Sequence, residues 1–267
     1  MRASLQMYDL PGLAAATDAW WAGLAAAFRA EGLADVPERL TRDGDHAALW
    51  TAPDLLFSQT CGYPLTHAFA GKLTLVATPV YACAGCAGGA YHSDILVRAD
   101  DRAAGLGDLR GRRAAVNAED SQSGYSALRH AVAGLAERGR FFGAVRISGG
   151  HRNSMRMVAA GEADVCAVDT VTHHLLQRQE PGLTGALRVL ATSAAAPALP
   201  YIGRRDLPDG DLQRLRAGLR RAIEDPALAG VRAELLLADI VVKPLSAYDR
   251  ILELEDAAVT ADYPILA

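Results

Sequence analysis

Three serines, a glycine and a tyrosine stand close together at Ser121-Gln122-Ser123-Gly124-Tyr125-Ser126. Just upstream, Arg113-Ala114-Ala115-Val116 has the composition of a short buried strand. Just downstream, Ala127, Leu128, Ala131, Val132 and Leu135 recur at helical spacing. The pattern predicts a strand, a turn and a helix whose first turn is surrounded by small hydroxyl groups. The leading N–H groups of a helix lack partners within it, and its dipole is positive at that end, so such a turn suits an anion. Ser121 or Ser123 can equally serve as a plain N-cap. Gly124 lets a ligand approach the backbone closely. Glu119 and Asp120 precede the turn, and their charge partly offsets the dipole, so a zwitterionic or neutral polar ligand fits as well as a strong anion.

Other reactive residues are scattered. Cys83 and Cys86 form a lone C-x-x-C, and Cys61 and Cys166 complete the cysteines. Zinc would need two further ligands at suitable spacing, and a redox pair would want to open a helix, whereas this one sits in a Gly- and Ala-rich loop. Structural thiols, one disulfide, and a metal or redox role remain the alternatives. His173 and His174 adjoin on a helix and point to different faces, a poor metal pair. Gln122-Ser123-Gly124 lacks the preceding glycine of a G-x-S-x-G nucleophile turn. No residue pattern requires a cofactor or a metal.

The elements that must position these groups alternate. Strands are expected over Ala3 to Tyr8, Ala48 to Trp50, Asp54 to Gln59, Leu73 to Tyr81, Ser93 to Arg98, Arg113 to Val116, Ala144 to Ser148, Asp164 to Val168 and Leu187 to Thr192. Helices are expected over Leu13 to Glu31, with Trp20 and Trp21 in the core, and over Pro37 to Leu40, Gly105 to Arg112, Asn153 to Ala160, Asp169 to Arg178, Leu212 to Ile223, Leu228 to Leu237 and Ala247 to Leu254. Ser193 to Pro200 reads as an extended Ala/Pro linker. The alternation gives an α/β fold with mostly parallel sheets. In such folds ligands bind beyond the carboxyl ends of strands. That rule selects five junctions: Tyr8-Asp9, Thr60-Cys61-Gly62-Tyr63, Ser121 to Tyr125, Gly150-His151 and Asp169-Thr170. His151 and Asp169 also have the plain reading of helix caps, and Tyr8 that of a core residue.

The chain's 267 residues fit two lobes or one large α/β domain. A net charge of −4 with no long basic run gives no nucleic-acid surface. No apolar stretch reaches the roughly 18 residues of a membrane span. Met1 to Tyr8 lacks the apolar core and cleavage region of a signal peptide, so the expectation is a cytoplasmic protein, or a periplasmic or otherwise extracytoplasmic one whose leader is removed.

Four segments, taken together and in order, carry a family resemblance. They are Leu56 to Leu65, Tyr91 to Val97 with Asp108 to Asn117, Ser121 to Arg129, and Ser148 to Met155 with Gly161 to Asp169. They resemble the phosphonate-type substrate-binding proteins of ABC transporters over nearly the whole chain. The resemblance implies a two-lobed, type II periplasmic-binding-protein fold with a ligand cleft between the lobes and hinge closure around a small molecule. It implies a first lobe of residues 1–92 plus 194–267 and a second, inserted lobe of residues 93–193. It places Ser121, Ser123, Gly124 and Tyr125 at an oxyanion-binding helix terminus, with His151 and Asp169 on the same lobe's wall. Tyr8, Thr60, Gly62 and Tyr63 match the opposite wall, and Tyr91 and Ser93 lie near the hinge. The implied function is binding without chemistry, with an ABC-transporter permease as partner and a monomeric binding protein. The competing readings are a cytosolic lyase-like enzyme on the same fold, with Asp169, His151 or Tyr125 as its acid or base, and the sensory domain of a regulator.

Overall fold

The computed structural model of the chain describes residues 1–267. The chain forms two compact units, Met1–Gly89 with Pro197–Ala247, and Ala90–Ala196 with Tyr248–Ala267. It therefore passes from one to the other three times.

The first unit is built on a five-stranded sheet in the order β1-β2-β11-β3-β12. Its strands are β1 (Arg2–Ala3), β2 (Leu55–Gln59), β3 (Leu73–Tyr81), β11 (Tyr201–Arg204) and β12 (Leu237–Val241). Its helices are α1 (Ala14–Ala30), α2 (His46–Trp50), α3 (Gly62–Thr66), α8 (Asp209–Glu224) and α9 (Ala229–Glu234). Every residue of β2 is buried, its apolar Leu55, Leu56 and Phe57 in the core and its polar Gln59 satisfied by donating to the Tyr81 hydroxyl and the Leu199 carbonyl, both at 3.0 Å. Trp20 and Trp21 are buried as expected, and Trp21, Phe28 and Phe57 join Tyr201 in one aromatic cluster with successive ring centroids 6.1, 5.3 and 5.0 Å apart. On α8, a Cβ at Gly218 would come within 2.5 Å of the Phe28 ring, so only glycine lets α8 lie this close to α1.

The second unit holds a five-stranded sheet in the order β7-β6-β8-β5-β9. Its strands are β5 (Ser93–Arg98), β6 (Arg113–Val116), β7 (Ala144–Ile147), β8 (Val165–Asp169) and β9 (Leu187–Thr192). At the crossings, β4 (Ala90–Tyr91) pairs with β10 (Ala196–Pro197). The helices are α4 (Ala127–Ala133), α5 (His151–Ala159), α6 (Thr170–Gln179), α7 (Pro181–Gly185) and α10 (Asp249–Thr260).

Several expectations are corrected. The sheets are mixed rather than mostly parallel: β11 runs antiparallel to β2 and β3, β12 to β3, and β5 to β8 and β9. Of the expected first strand only Ala3 pairs with β2, together with Arg2 just before it, and Gln6–Tyr8 turns into a 3-10 helix. The expected strand at Ala48–Trp50 is the helix α2, capped by Asp45, whose carboxylate accepts from the Ala48 N–H at 2.9 Å. The segment at Pro37 to Leu40 is not helical. β12 occupies ground expected to follow a helix, because α9 stops at Glu234 and Leu236 takes a φ of 57°. The last 20 residues, expected in the first lobe, pack in the second unit. There α10 lies on α4, where the buried Arg129 reaches Glu255 at 2.9 Å and the Pro264 carbonyl at 2.5 Å.

Candidate functional site

The serine-rich stretch folds as the sequence pattern predicts, with one refinement. After β6, residues Gln122–Ser126 make a π-helical turn that leads into α4. Its signature bond runs from the Ser126 N–H to the Ser121 carbonyl at 3.0 Å. Ser121 is the N-cap: its hydroxyl accepts from the Gly124 N–H at 3.0 Å. Ser123 does something else. Its hydroxyl lies 2.8 Å from Nε2 of His151. Because Ser121 satisfies the cap, Ser123 is left for other work, so the two serines divide the roles that the sequence left open.

His151 is the first residue of α5, and the N-cap is Gly150 rather than His151. The helix starts two residues before the expected Asn153, which turns the imidazole toward Ser123. Burial pushes the His151 imidazole below its ordinary range, against the opposing pull of the Asp169 charge. Asp169 ends β8 and caps α6, accepting from the Thr172 N–H at 2.9 Å and from its hydroxyl at 2.8 Å. Ser121, Ser123, His151 and Asp169 thus come together from three strand-to-helix junctions of one sheet. A hydroxyl donor, a neutral imidazole and a carboxylate at helix starts can hold an oxyanion and an attached polar or cationic group. Glu119 and Asp120 are exposed, so solvent screens their effect on the helix terminus.

Two neighbours make structural contacts that the sequence does not announce. At Gly124 a Cβ would fall 1.8 Å from Oδ1 of Asn117, so the glycine makes room for Asn117. The Tyr125 hydroxyl accepts from the Leu266 N–H at 3.0 Å, and its ring packs on the core of the second unit near Arg129. Tyr125 thereby ties the helix to the C-terminal segment. Asn117 and Gln122 bring buried amide atoms without hydrogen-bond partners beside the same turn. Sequence reading passed them over; the signal was the amide-bearing Asn117 directly after a buried strand.

Tyr91 and Ser93 are buried at the start of the second unit, where the Ser93 N–H donates to the Ser193 hydroxyl at 2.9 Å. In the first unit, Thr60 is fully buried and its N–H donates to the Pro200 carbonyl at 3.1 Å. Gly62 opens α3, and Tyr63 stacks on His67 at 3.7 Å between centroids. Tyr8 meets Tyr81 edge-on at 5.2 Å and lines a small pocket within this unit, with Gln59, Trp20 and Tyr201. No disulfide joins Cys83 to Cys86, whose backbones close a turn at 3.0 Å. Burial raises the Cys166 thiol far above its ordinary range, so it is inert. No group of three or more potential ligand side chains could hold a metal ion.

Two α/β units with mixed sheets place the chain in the two-lobed class of periplasmic-binding-protein folds, as solved structures bear out. A binding-protein component of an ABC phosphonate transporter from Pseudomonas aeruginosa matches with a TM-score of 0.78 at 17% identity, over 98% of this chain and 87% of that one. A Prochlorococcus marinus protein solved in complex with methylphosphonate matches with a TM-score of 0.78 at 14% identity, over 96% and 97%. A Xanthomonas citri protein solved with bound ATP matches with a TM-score of 0.70 at 16% identity, over 97% of each chain. No curated protein matches the chain. Residues 52–241 match the family described as ABC transporter, phosphonate, periplasmic substrate-binding protein, and the chain belongs to that family. It is a solute-binding component of an ABC transporter, and the lyase reading of the fold gives way to this family of binding proteins. No helix is long and apolar enough to cross a membrane.

Proposed function

We propose that the chain binds a small phosphonate-like oxyanion or zwitterion outside the cytoplasm and delivers it, as a monomer, to an ABC-transporter permease. The observation that carries this reading is the 2.8 Å contact between Ser123 and His151 beside a helix start already capped by Ser121. Ser123 donates to a ligand oxygen, His151 orients that hydroxyl, and the leading N–H groups of the turn supply further donors. Asp169 accepts from an ammonium or hydroxyl group of the same ligand. Tyr91 and Ser93 in this unit supply further contacts, and Tyr8, Thr60, Gly62 and Tyr63 are the first unit's own candidates for binding. The solved relative that holds methylphosphonate supports the choice of ligand class. The functional lobes on this reading follow the two compact units rather than boundaries at 92/93 and 193/194.

Native mass spectrometry of the purified chain, followed by calorimetry with methylphosphonate, phosphate, a sulfonate and an amino acid, tests the proposal. A co-purifying phosphonate mass or micromolar binding of methylphosphonate supports it. Binding of the amino acid alone would replace the ligand class.

A further inference from the structure

A buried carboxylate held between two imidazoles joins β5 to α6, and it is not itself among the groups assigned to the ligand. Asp94, the second residue of β5, is 5% exposed, and His173 on α6 is 4% exposed. Oδ2 of Asp94 lies 2.7 Å from Nδ1 of His173, and Oδ1 lies 3.2 Å from Nε2 of His92. His173 sits four residues after Asp169, one turn along the same helical face. The Thr170 N–H also donates to the His92 carbonyl at 3.0 Å. The first turn of α6 is thus fastened twice to the segment by which the chain enters this unit, once by backbone and once through Asp94.

A buried carboxylate is costly unless paired, and apolar side chains of similar size hold a fold together at least as well. The pair therefore calls for a role in geometry. The titratable and charged groups around Asp94 are His92 on its own segment and His173 and His174 from α6. From β8 comes Asp169, engaged as the cap of α6, while β9 sets the uncharged Thr192 opposite Asp94. Burial works to raise the Asp94 carboxyl, and the bond and charge of His173, with the charges of His92 and His174, hold it below the ordinary aspartate range.

We infer that Asp94 and His173 are positioning residues: together they fix the rotation of α6, and so the place of its capping carboxylate Asp169 beside His151. The consequence for ligand binding rests on the reading of Asp169 as a ligand contact.

The test compares backbone amide resonances of Asp169, Thr170 and Thr172 in the full chain at one pH among the wild type, D94A, H173A and H173Q. The expected result is a displacement of all three amides in D94A and H173A, with resonances of the first unit kept, and a return toward the wild-type positions in H173Q, whose side-chain N–H can still donate to Asp94. Amides that keep their wild-type positions in H173A would overturn the inference. With methylphosphonate as probe, H173A should bind at least fivefold more weakly than the wild type and H173Q within twofold of it. Equal affinities for H173A and the wild type would remove the link to binding. If methylphosphonate fails to bind the wild type, the ligand reading falls while the amide comparison still decides the positioning role.

Discussion

The hydroxyl of Ser123 lies 2.8 Å from Nε2 of His151, which joins the first turn after β6 to the first residue of α5. Two junctions that are 28 residues apart in the chain thereby act on one point. The serine two residues earlier is already spent on the Gly124 N–H. This division of labour gives the two serines separable phenotypes. Ser123→Ala should weaken methylphosphonate binding at least tenfold, about 1.4 kcal/mol, and leave the melting temperature nearly unchanged. Ser121→Ala should instead cost about 1 kcal/mol of stability as a lost cap. Calorimetry and thermal denaturation of the two variants distinguish these outcomes, and equal affinities for wild type and Ser123→Ala would remove Ser123 from the site.

The depressed imidazole of His151 makes stability depend on pH. In the unfolded chain this histidine takes a proton near pH 6.5, whereas in the folded chain burial resists it. The unfolded state therefore binds more protons below that pH, and stability rises with pH there. The contribution is complete above about pH 6.5 and is lost as pH falls toward the lower folded value. Urea midpoints measured from pH 8 to pH 5 should fall on acidification, with a smaller fall in His151→Gln. A parallel fall in both proteins would show that another group governs the acid limb.

Gly124→Ala places a methyl group on Oδ1 of Asn117. Overpacking of this kind costs about 1–3 kcal/mol. Asn117→Ala should relieve it, so the double variant Asn117→Ala/Gly124→Ala should be more stable than the sum of the single effects predicts. Additive losses in chemical denaturation would mean that the strain lies elsewhere.

Tyr125→Phe removes only the hydroxyl that accepts from the Leu266 N–H. It should lower stability by about 1 kcal/mol and leave methylphosphonate affinity within twofold. A tenfold loss of affinity would return Tyr125 to the ligand contacts.

The buried Arg129 pairs with the partly exposed Glu255 of α10. Removing the guanidinium leaves a carboxylate that water still reaches, so Arg129→Ala should cost about 1.5–3 kcal/mol, the worth of a hydrogen bond to a charged group. Arg129→Met, which keeps the bulk, with Glu255→Gln should recover much of that loss in denaturant unfolding. A double variant no more stable than Arg129→Ala would place the cost in lost packing.

What could be read from the sequence follows from how local each signal is. β3 and β9 were legible to the residue because apolar, β-branched runs with clear turn boundaries settle them. The serine-rich turn, His151 and Asp169 were legible because each follows a buried strand. Pairing direction was not legible: β11 and β12 enter the first sheet between and beside strands more than a hundred residues earlier, and nothing local marks them. The bond of the Tyr125 hydroxyl to the Leu266 N–H was not legible, because the two residues lie 141 positions apart. Asp94 was missed for the same reason, its imidazole partner His173 being 79 residues distant.

The placement of residues 248–267 in the second unit has a consequence for the order of assembly. A chain that emerges N-terminus first exposes α4 long before α10 is available to cover it. Arg129 waits for Glu255 and Pro264, and Tyr125 waits for Leu266. The helix that carries the serine turn therefore locks only when the final segment docks.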